Sequence, residues 1–265
     1  MIGYANLRLV QAATVGAALL ISTAAFAQND TTSQLTKHLR AVEVLASYGE
    51  NLKDLISTDI GFSEAQVARW TSAVDVAFDR DTLEAEFFVA LDSRITEPVR
   101  QAALEHQATP LGQEVLERVA NWPGDMEAAE LLEQAKAGLE QASPERRALY
   151  DAQFEAESGL AQMNNVLDGY FRAMKIAASP VLGEEAAEEW VASAQFLREA
   201  YAENHFLSSV SIYSQMPEER HEELVDILTT PEITAFYSLG TEAIEETMHA
   251  AIDRLEAAYA DGANT

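Results

Sequence analysis

The chain has 265 residues and no cysteine, and its 44 acidic side chains outnumber 17 basic ones to give a formal charge of −27. Without cysteine there is no disulfide bond, thiolate metal site or cysteine nucleophile. A sequence pI near 4.3 argues against binding to nucleic acid or to a bare anionic membrane, since both carry the same sign of charge. The hydrophobic fraction of 48% is typical of a globular chain.

The first residues have the organisation of a cleavable signal peptide. A short segment with one cation, residues 1–8, precedes an apolar run at 12–21 and an Ala-Phe-Ala tripeptide that ends at Ala27. A membrane anchor is the alternative, but the uninterrupted apolar run is shorter than the roughly 20 residues that span a bilayer. We therefore predict cleavage after Ala27, removal of residues 1–27, a periplasmic location and no integral membrane segment after cleavage.

The remaining chain carries helix signals in succession. Apolar side chains recur at near-helical spacing over residues 33–57 and predict an amphipathic helix. Ser63 and Gln66 form a capping-box pattern that predicts a second helix, and Asp81 with Glu84 predicts a third in the same way. Three more starts are indicated by a hydroxyl residue before a proline, at Thr109-Pro110, Ser143-Pro144 and Thr230-Pro231.

The other segments also favour helices. Trp122 to Asp125 is predicted as a break, with Asp125 as the cap of the next helix. Residues 206–213 form a run too short to be assigned as helix or strand. No segment shows the alternation of a half-buried strand between turn residues. The predicted fold class is therefore all-α.

An internal repeat suggests two related helical units in tandem. A shift of 121 residues places residues 89–110 on residues 210–231 without a gap. The identical pairs are Val89/Val210, Ser93/Ser214, Glu97/Glu218, Thr109/Thr230 and Pro110/Pro231. The alternative explanation is that helix-capping chemistry recurs because every helix needs caps. We predict a multi-helix bundle of two units, residues 28–142 and 143–265.

The segment from Leu104 to Val119 contains Thr109-Pro110-Leu111-Gly112, followed by Val115 and Leu116. This segment resembles the end motif of the domain-of-unknown-function 2059 family, although Glu105-His106-Gln107-Ala108 replaces the aromatic and acidic run that often precedes the turn. The corresponding second copy reads Thr229-Thr230-Pro231-Glu232. A two-copy version of this family would cover most of residues 40–255. The resemblance implies an exported, all-helical protein, and it transfers no catalytic residue.

Two Glu-x-x-His pairs are the candidate metal ligands, Glu218 with His221 and Glu246 with His249. Each pair lies on one helical face, and two such pairs with further glutamates build the di-iron sites of four-helix bundles. On the last helix the apolar stripe passes through Met248, and Glu246 lies roughly 160° away around the helix, so we expect it to face solvent. No phosphate-binding loop, nucleophile elbow or zinc-protease motif occurs. We therefore predict no cofactor and no catalytic residue.

Two functional interpretations remain open. The first is a non-catalytic protein that binds other envelope proteins as a scaffold, a stress factor or an acidic holdase. The second is a ligand- or metal-binding protein with a cavity between the two units. Aromatic residues such as Phe171 and Phe196 are expected in the core, and any that are exposed would mark a surface for a partner or an apolar ligand. The sequence does not reveal an oligomeric state.

Overall fold

Helix follows helix along the chain. The computed structural model describes residues 41–121 and 125–261, together with Thr32 and Leu35. Within these residues there are twelve α-helices and no strand, which confirms the all-α prediction. The helices are α1 (Ala41–Lys53), α2 (Glu64–Ala77), α3 (Arg80–Asp92), α4 (Glu97–Ala108), α5 (Pro110–Ala120), α6 (Asp125–Gln141), α7 (Pro144–Ala156), α8 (Gly159–Leu182), α9 (Glu184–Ala194), α10 (Leu197–Tyr213), α11 (Glu218–Leu228) and α12 (Pro231–Asp261).

Several helices begin where their capping residues predict. Ser63 and Gln66 form a complete capping box at the start of α2, since each backbone N–H donates to the other residue's side chain. Thr109 accepts a hydrogen bond from the N–H of Gly112 at 3.0 Å, which caps α5. Ser143 caps α7 in the same way. These bonds satisfy N–H groups that have no partner within the helix.

Two local expectations were wrong or incomplete. The start of α3 is capped by Asp79, which accepts from the N–H of Thr82 at 3.0 Å, and not by Asp81 with Glu84. Asp81 lies inside the first turn, where a carboxylate still interacts favourably with the helix dipole. The ambiguous residues 206–213 belong to α10.

The last helix lies at the centre of the protein. α12 has 31 residues and is about 46 Å long at 1.5 Å per residue. It packs against α2, α3 and α4 from the first half of the chain and against α8 from the second. Its predicted apolar stripe is buried, from Ile233 through Met248 to Leu255. One continuous hydrophobic core therefore extends through both halves of the chain.

A buried tryptophan connects α12 with the first helices. The indole N–H of Trp70 donates to the carbonyl of Leu52 at 2.6 Å, and the ring of Tyr259 contacts the indole edge-on at 5.3 Å between centroids. Arg254 donates to the carbonyl of Ala77 at the end of α2 and pairs with Glu86. The C-terminal helix thus supplies both apolar contacts and a cap to the N-terminal half.

Helix boundaries recur at the spacing of the internal repeat. The 121-residue shift places the end of α3 on the end of α10, Asp92 with Tyr213. It also places the start of α4 on that of α11, Glu97 with Glu218, and the start of α5 on that of α12, Pro110 with Pro231. α5 is nevertheless 11 residues long, whereas α12 has 31. The division into two related units stays a prediction.

The predicted signal peptide, residues 1–27, lies outside the described residues. Among the residues that the structure describes, none of the helices combines the length and the apolar character needed to cross a bilayer.

A buried polar cluster as the candidate functional site

The most unusual group of polar residues lies where α7 meets α10 and α11. A hydrogen-bonded chain runs from His221 on α11 through Gln153 on α7 to Glu157 at the end of α7. The Nε2 atom of His221 lies 2.6 Å from Oε1 of Gln153, and Nε2 of Gln153 donates to Oε2 of Glu157 at 3.1 Å. Gln153 and His221 are completely buried. Such a chain is held in place by the helices around it, because an unpaired buried polar group is costly.

Tyr213 of α10 completes the cluster. Its hydroxyl donates to Oε1 of Glu157 at 3.1 Å, and its ring stacks on the imidazole of His221 with a centroid distance of 5.8 Å. Tyr150 of α7 contacts the same imidazole at 5.1 Å. His221 is therefore enclosed between two aromatic rings and bound at one nitrogen, which is the environment of a packed core histidine.

The hydrogen-bond directions fix the tautomer of His221. The amide nitrogen of Gln153 donates to Glu157, so its amide oxygen, which can only accept, faces the imidazole. His221 must then carry its proton on Nε2 and leave Nδ1 as an acceptor. Nδ1 is buried without a partner, as is Nη1 of Arg146. This is the point of the cluster where a water molecule or small polar ligand would gain the most hydrogen bonding.

Arg146 closes the cluster at the start of α7. Its guanidinium donates to the backbone carbonyls of Tyr213 at 3.0 Å and Met216 at 2.9 Å, and its Nε donates to the hydroxyl of Tyr150 at 3.1 Å. The carbonyl of Tyr213 is at the end of α10, where a cation is favoured by the helix dipole, and Met216 lies three residues beyond it. Arg146 thus joins α7 to α10 and places a positive charge near His221.

The enclosed environment shifts the proton affinities of the cluster in opposite directions. Burial raises the pKa of Glu157 to about 7, although the hydrogen bonds from Gln153 and Tyr213 favour the charged form. Burial and the charge of Arg146 lower the pKa of His221 to about 4. At neutral pH the imidazole is therefore uncharged, while Glu157 exchanges a proton. The chemistry that this arrangement supports is proton binding in the interior.

The four predicted ligand residues are not brought together. His221 lies in the cluster, whereas Glu218, Glu246 and His249 are exposed, and Glu246 pairs with Arg94. The expected solvent orientation of Glu246 agrees with this position. Within the described residues, no group of three or more His, Asp or Glu side chains is arranged to hold a metal ion.

Sequence reasoning missed the α7 residues of the cluster. Arg146, Tyr150, Gln153 and Glu157 recur at intervals of four, three and four residues, which places them on one helical face. This face has polar groups where a core-facing stripe is normally apolar. That departure from helical amphipathicity is the signal that could have located the cluster.

An open cleft of about 420 Å³ lies beside the cluster. It is bordered by Glu114, Glu117, Arg118 and Asn121 at α5 and its end, Leu131 of α6, and Ser211 and Ile212 of α10. Ser211 and Ile212 immediately precede Tyr213, and the charge of Arg118 acts on the Tyr213 hydroxyl. The cleft thus lies between helices of the first predicted unit and a helix of the second.

Comparisons of the chain with protein-family models, with curated proteins and with solved structures find no match. Membership of the family suggested by the Thr109–Gly112 motif therefore stays a prediction.

Proposed function

We propose that this chain is an exported, non-catalytic helical protein of the periplasm that binds other envelope proteins through basic segments of those partners. The family resemblance and the N-terminal sequence support export. The surface charge, described next, is the observation that carries the binding proposal.

Nearly all the basic side chains among the described residues already have a carboxylate or carbonyl partner within the molecule. Eleven basic side chains pair with carboxylates, namely Lys53, Arg80, Arg94, Arg100, Arg118, Lys136, Arg172, Lys175, Arg198, Arg220 and Arg254. Arg146 and Arg147 donate to backbone carbonyls. With 44 acidic against 17 basic residues in the chain, the charge left for a partner is negative. Such a field accelerates the approach of cationic surfaces and repels acidic ones.

An exposed aromatic side chain adds an apolar contact to this surface. Phe196, between α9 and α10, is 61% exposed, although its sequence context predicted a core position. Aromatic side chains contribute strongly to protein interfaces when they become buried on binding.

Two measurements test the proposal. The intact mass of the protein recovered from the periplasm is expected to match a chain that begins at Gln28. A mass that still includes residues 1–27 would contradict export. Chemical crosslinking in intact envelope fractions at low and high salt is expected to give a protein adduct that is lost at high salt. A sucrose control at matched osmolality should retain the adduct. An adduct that is insensitive to salt would contradict a charge-based interaction.

A second candidate function, binding of a small ligand between the two units, is favoured by the cleft at α5, α6 and α10. Its mixed lining of Glu114, Arg118 and Ile212 suits a small molecule with polar and apolar parts. Native mass spectrometry tests this candidate, because a bound molecule adds stoichiometric mass that disappears on denaturation. A bare polypeptide mass would favour the protein-binding function.

A further inference from the structure

We propose that Glu157 is a proton-controlled latch at the junction of α7 and α8, which holds α7 against α10 and α11 when protonated and releases this contact when ionised. This inference goes beyond the proposed binding function, because it assigns a pH-sensitive element to the fold whatever the partner.

The first support is the surroundings of the carboxyl group. Glu157 receives hydrogen bonds from Tyr213 and Gln153, but none of the described Lys or Arg side chains forms an ion pair with it. Arg146 is bound to backbone carbonyls of α10, and Arg118 pairs with Glu114. Glu157 is half-buried, and a carboxylate partly withdrawn from water without a cation beside it is unfavourable, whereas the neutral acid is tolerated.

The second support is the geometry of the junction itself. Glu157 is the C-cap of α7, and the next residue, Ser158, has φ 57° and ψ 29°, a left-handed conformation that is costly for a residue other than glycine. The side-chain amide of Gln162 on α8 donates to the carbonyl of Glu157 at 2.7 Å. The strained turn is therefore maintained by contacts that surround the same residue.

Packing on the other side of the turn also holds α7 against α8 and α10. A Cβ atom at Gly159 would overlap the ring of Phe154, so the first residue of α8 lies directly against α7. The ring of Phe154 contacts His205 at 5.4 Å and Phe206 at 5.3 Å, both on α10. Opening of the junction would separate these contacts together with the hydrogen bonds of Glu157.

Other titratable groups face this region from the neighbouring helices. Tyr213 of α10 and Tyr237 of α12 are buried near Glu157, and burial raises the pKa of both phenols far above the physiological range. His221 of α11 reaches Glu157 through Gln153, and burial lowers its pKa to about 4. Burial likewise lowers the pKa of His205 on α10 to about 4. The two histidines favour opening at low pH, the reverse of the effect of Glu157.

A comparison with Glu157→Gln separates these effects. Glutamine is similar in shape to the protonated acid and cannot ionise, while both histidines are unchanged. Hydrogen–deuterium exchange, corrected for the intrinsic rate at each pH, reports opening of peptides from α7 and the start of α8. With a pKa near 7 in the closed state and an ordinary value when open, the ratio of wild-type to Glu157→Gln opening is expected to rise up to about tenfold per pH unit between pH 5 and 7 and then level off.

Two controls complete the experiment. Glu155→Gln removes an exposed carboxylate from the same helix and should leave the wild-type profile unchanged. Tyr213→Phe removes a donor to the ionised carboxylate, so it should move the profile to higher pH, and it provides a second test if Glu157→Gln fails to fold. A flat ratio of wild type to Glu157→Gln would overturn the proposal. An equal pH response in α2 peptides would also overturn it, because the opening would then be global.

Discussion

The two histidines of the Glu-x-x-His pairs provide a direct test of the structure. His221 is fully buried, with the rings of Tyr213 and Tyr150 at 5.8 and 5.1 Å and the side chain of Gln153 at 2.6 Å. His249 occupies the same place in its own pair but is exposed on α12. We expect His221→Ala to destabilise the protein strongly and His249→Ala to have almost no effect.

The size of the loss follows from the contacts of His221. Each aromatic contact contributes about 0.5–1.5 kcal/mol beyond its buried area. Removal of the imidazole also leaves the buried carbonyl of Gln153 without its donor, which costs about 1–3 kcal/mol. Partial collapse of the resulting cavity limits the total. We therefore expect His221→Ala to lower the free energy of unfolding by about 3–5 kcal/mol, against at most about 0.5 kcal/mol for His249→Ala.

Urea unfolding at pH 7.5, with and without a chelator, measures these differences. The low pKa of His221 keeps its imidazole uncharged at this pH, so its protonation does not contribute to the measured loss. If His221 is a core residue, His221→Ala must lose much more unfolding free energy than His249→Ala, and the chelator must change neither loss. Similar losses in both variants that vanish with chelator would instead indicate that the two histidines share a metal, and would refute the arrangement described above.

Three further predictions concern pH, a close helix contact and the buried tryptophan. Because burial lowers the pKa of His205 and His221 to about 4, the unfolded state binds protons first, and each imidazole contributes up to about 3 kcal/mol of stability that is lost as pH falls from about 6.5 to 4. Protonation of Glu157, whose pKa is raised to about 7, stabilises the fold over part of this range, so urea unfolding of wild type and His205→Phe at each pH is compared to isolate the loss from His205. Gly112→Ala should cost at least about 2 kcal/mol, since its Cβ would overlap the carbonyl oxygen of His106. Trp70→Phe removes one of two donors to the Leu52 carbonyl, which keeps the N–H of Leu55 at 3.1 Å, and should cost about 0.5–1.5 kcal/mol in the same assay.

Each of these predictions has an outcome that contradicts it. A difference in stability between wild type and His205→Phe that stays constant from pH 6.5 to 4 would show that the imidazole does not titrate as its burial implies. Gly138→Ala is the control for Gly112, because nothing lies near its Cβ position and alanine favours the helix by up to about 1 kcal/mol. Equal effects of the two alanines would refute the close contact. An unchanged midpoint for Trp70→Phe would show that the indole bond contributes nothing.

Local signals predicted the helices well because capping is a short-range interaction. Ser63, Thr109 and Ser143 each bind an N–H three residues later, so the sequence contains both partners. The start of α3 was misassigned because Asp79 and Asp81 are both suitable caps, and only the backbone conformation selects between them. The all-α prediction follows from all of these signals together, so one misassigned cap does not change it.

The sequence by itself determined the helical architecture and the acidic charge of this protein, since both depend on composition and on neighbours a few residues apart. Only the tertiary structure decided which polar residues are buried. Glu218-x-x-His221 and Glu246-x-x-His249 have the same spacing, yet α7 and α10 cover His221 while His249 remains in solvent. The periodicity of a helix defines its faces, but the packing of distant helices determines which face is covered. That packing buries His221 and Gln153 and places the half-buried Glu157 beside them.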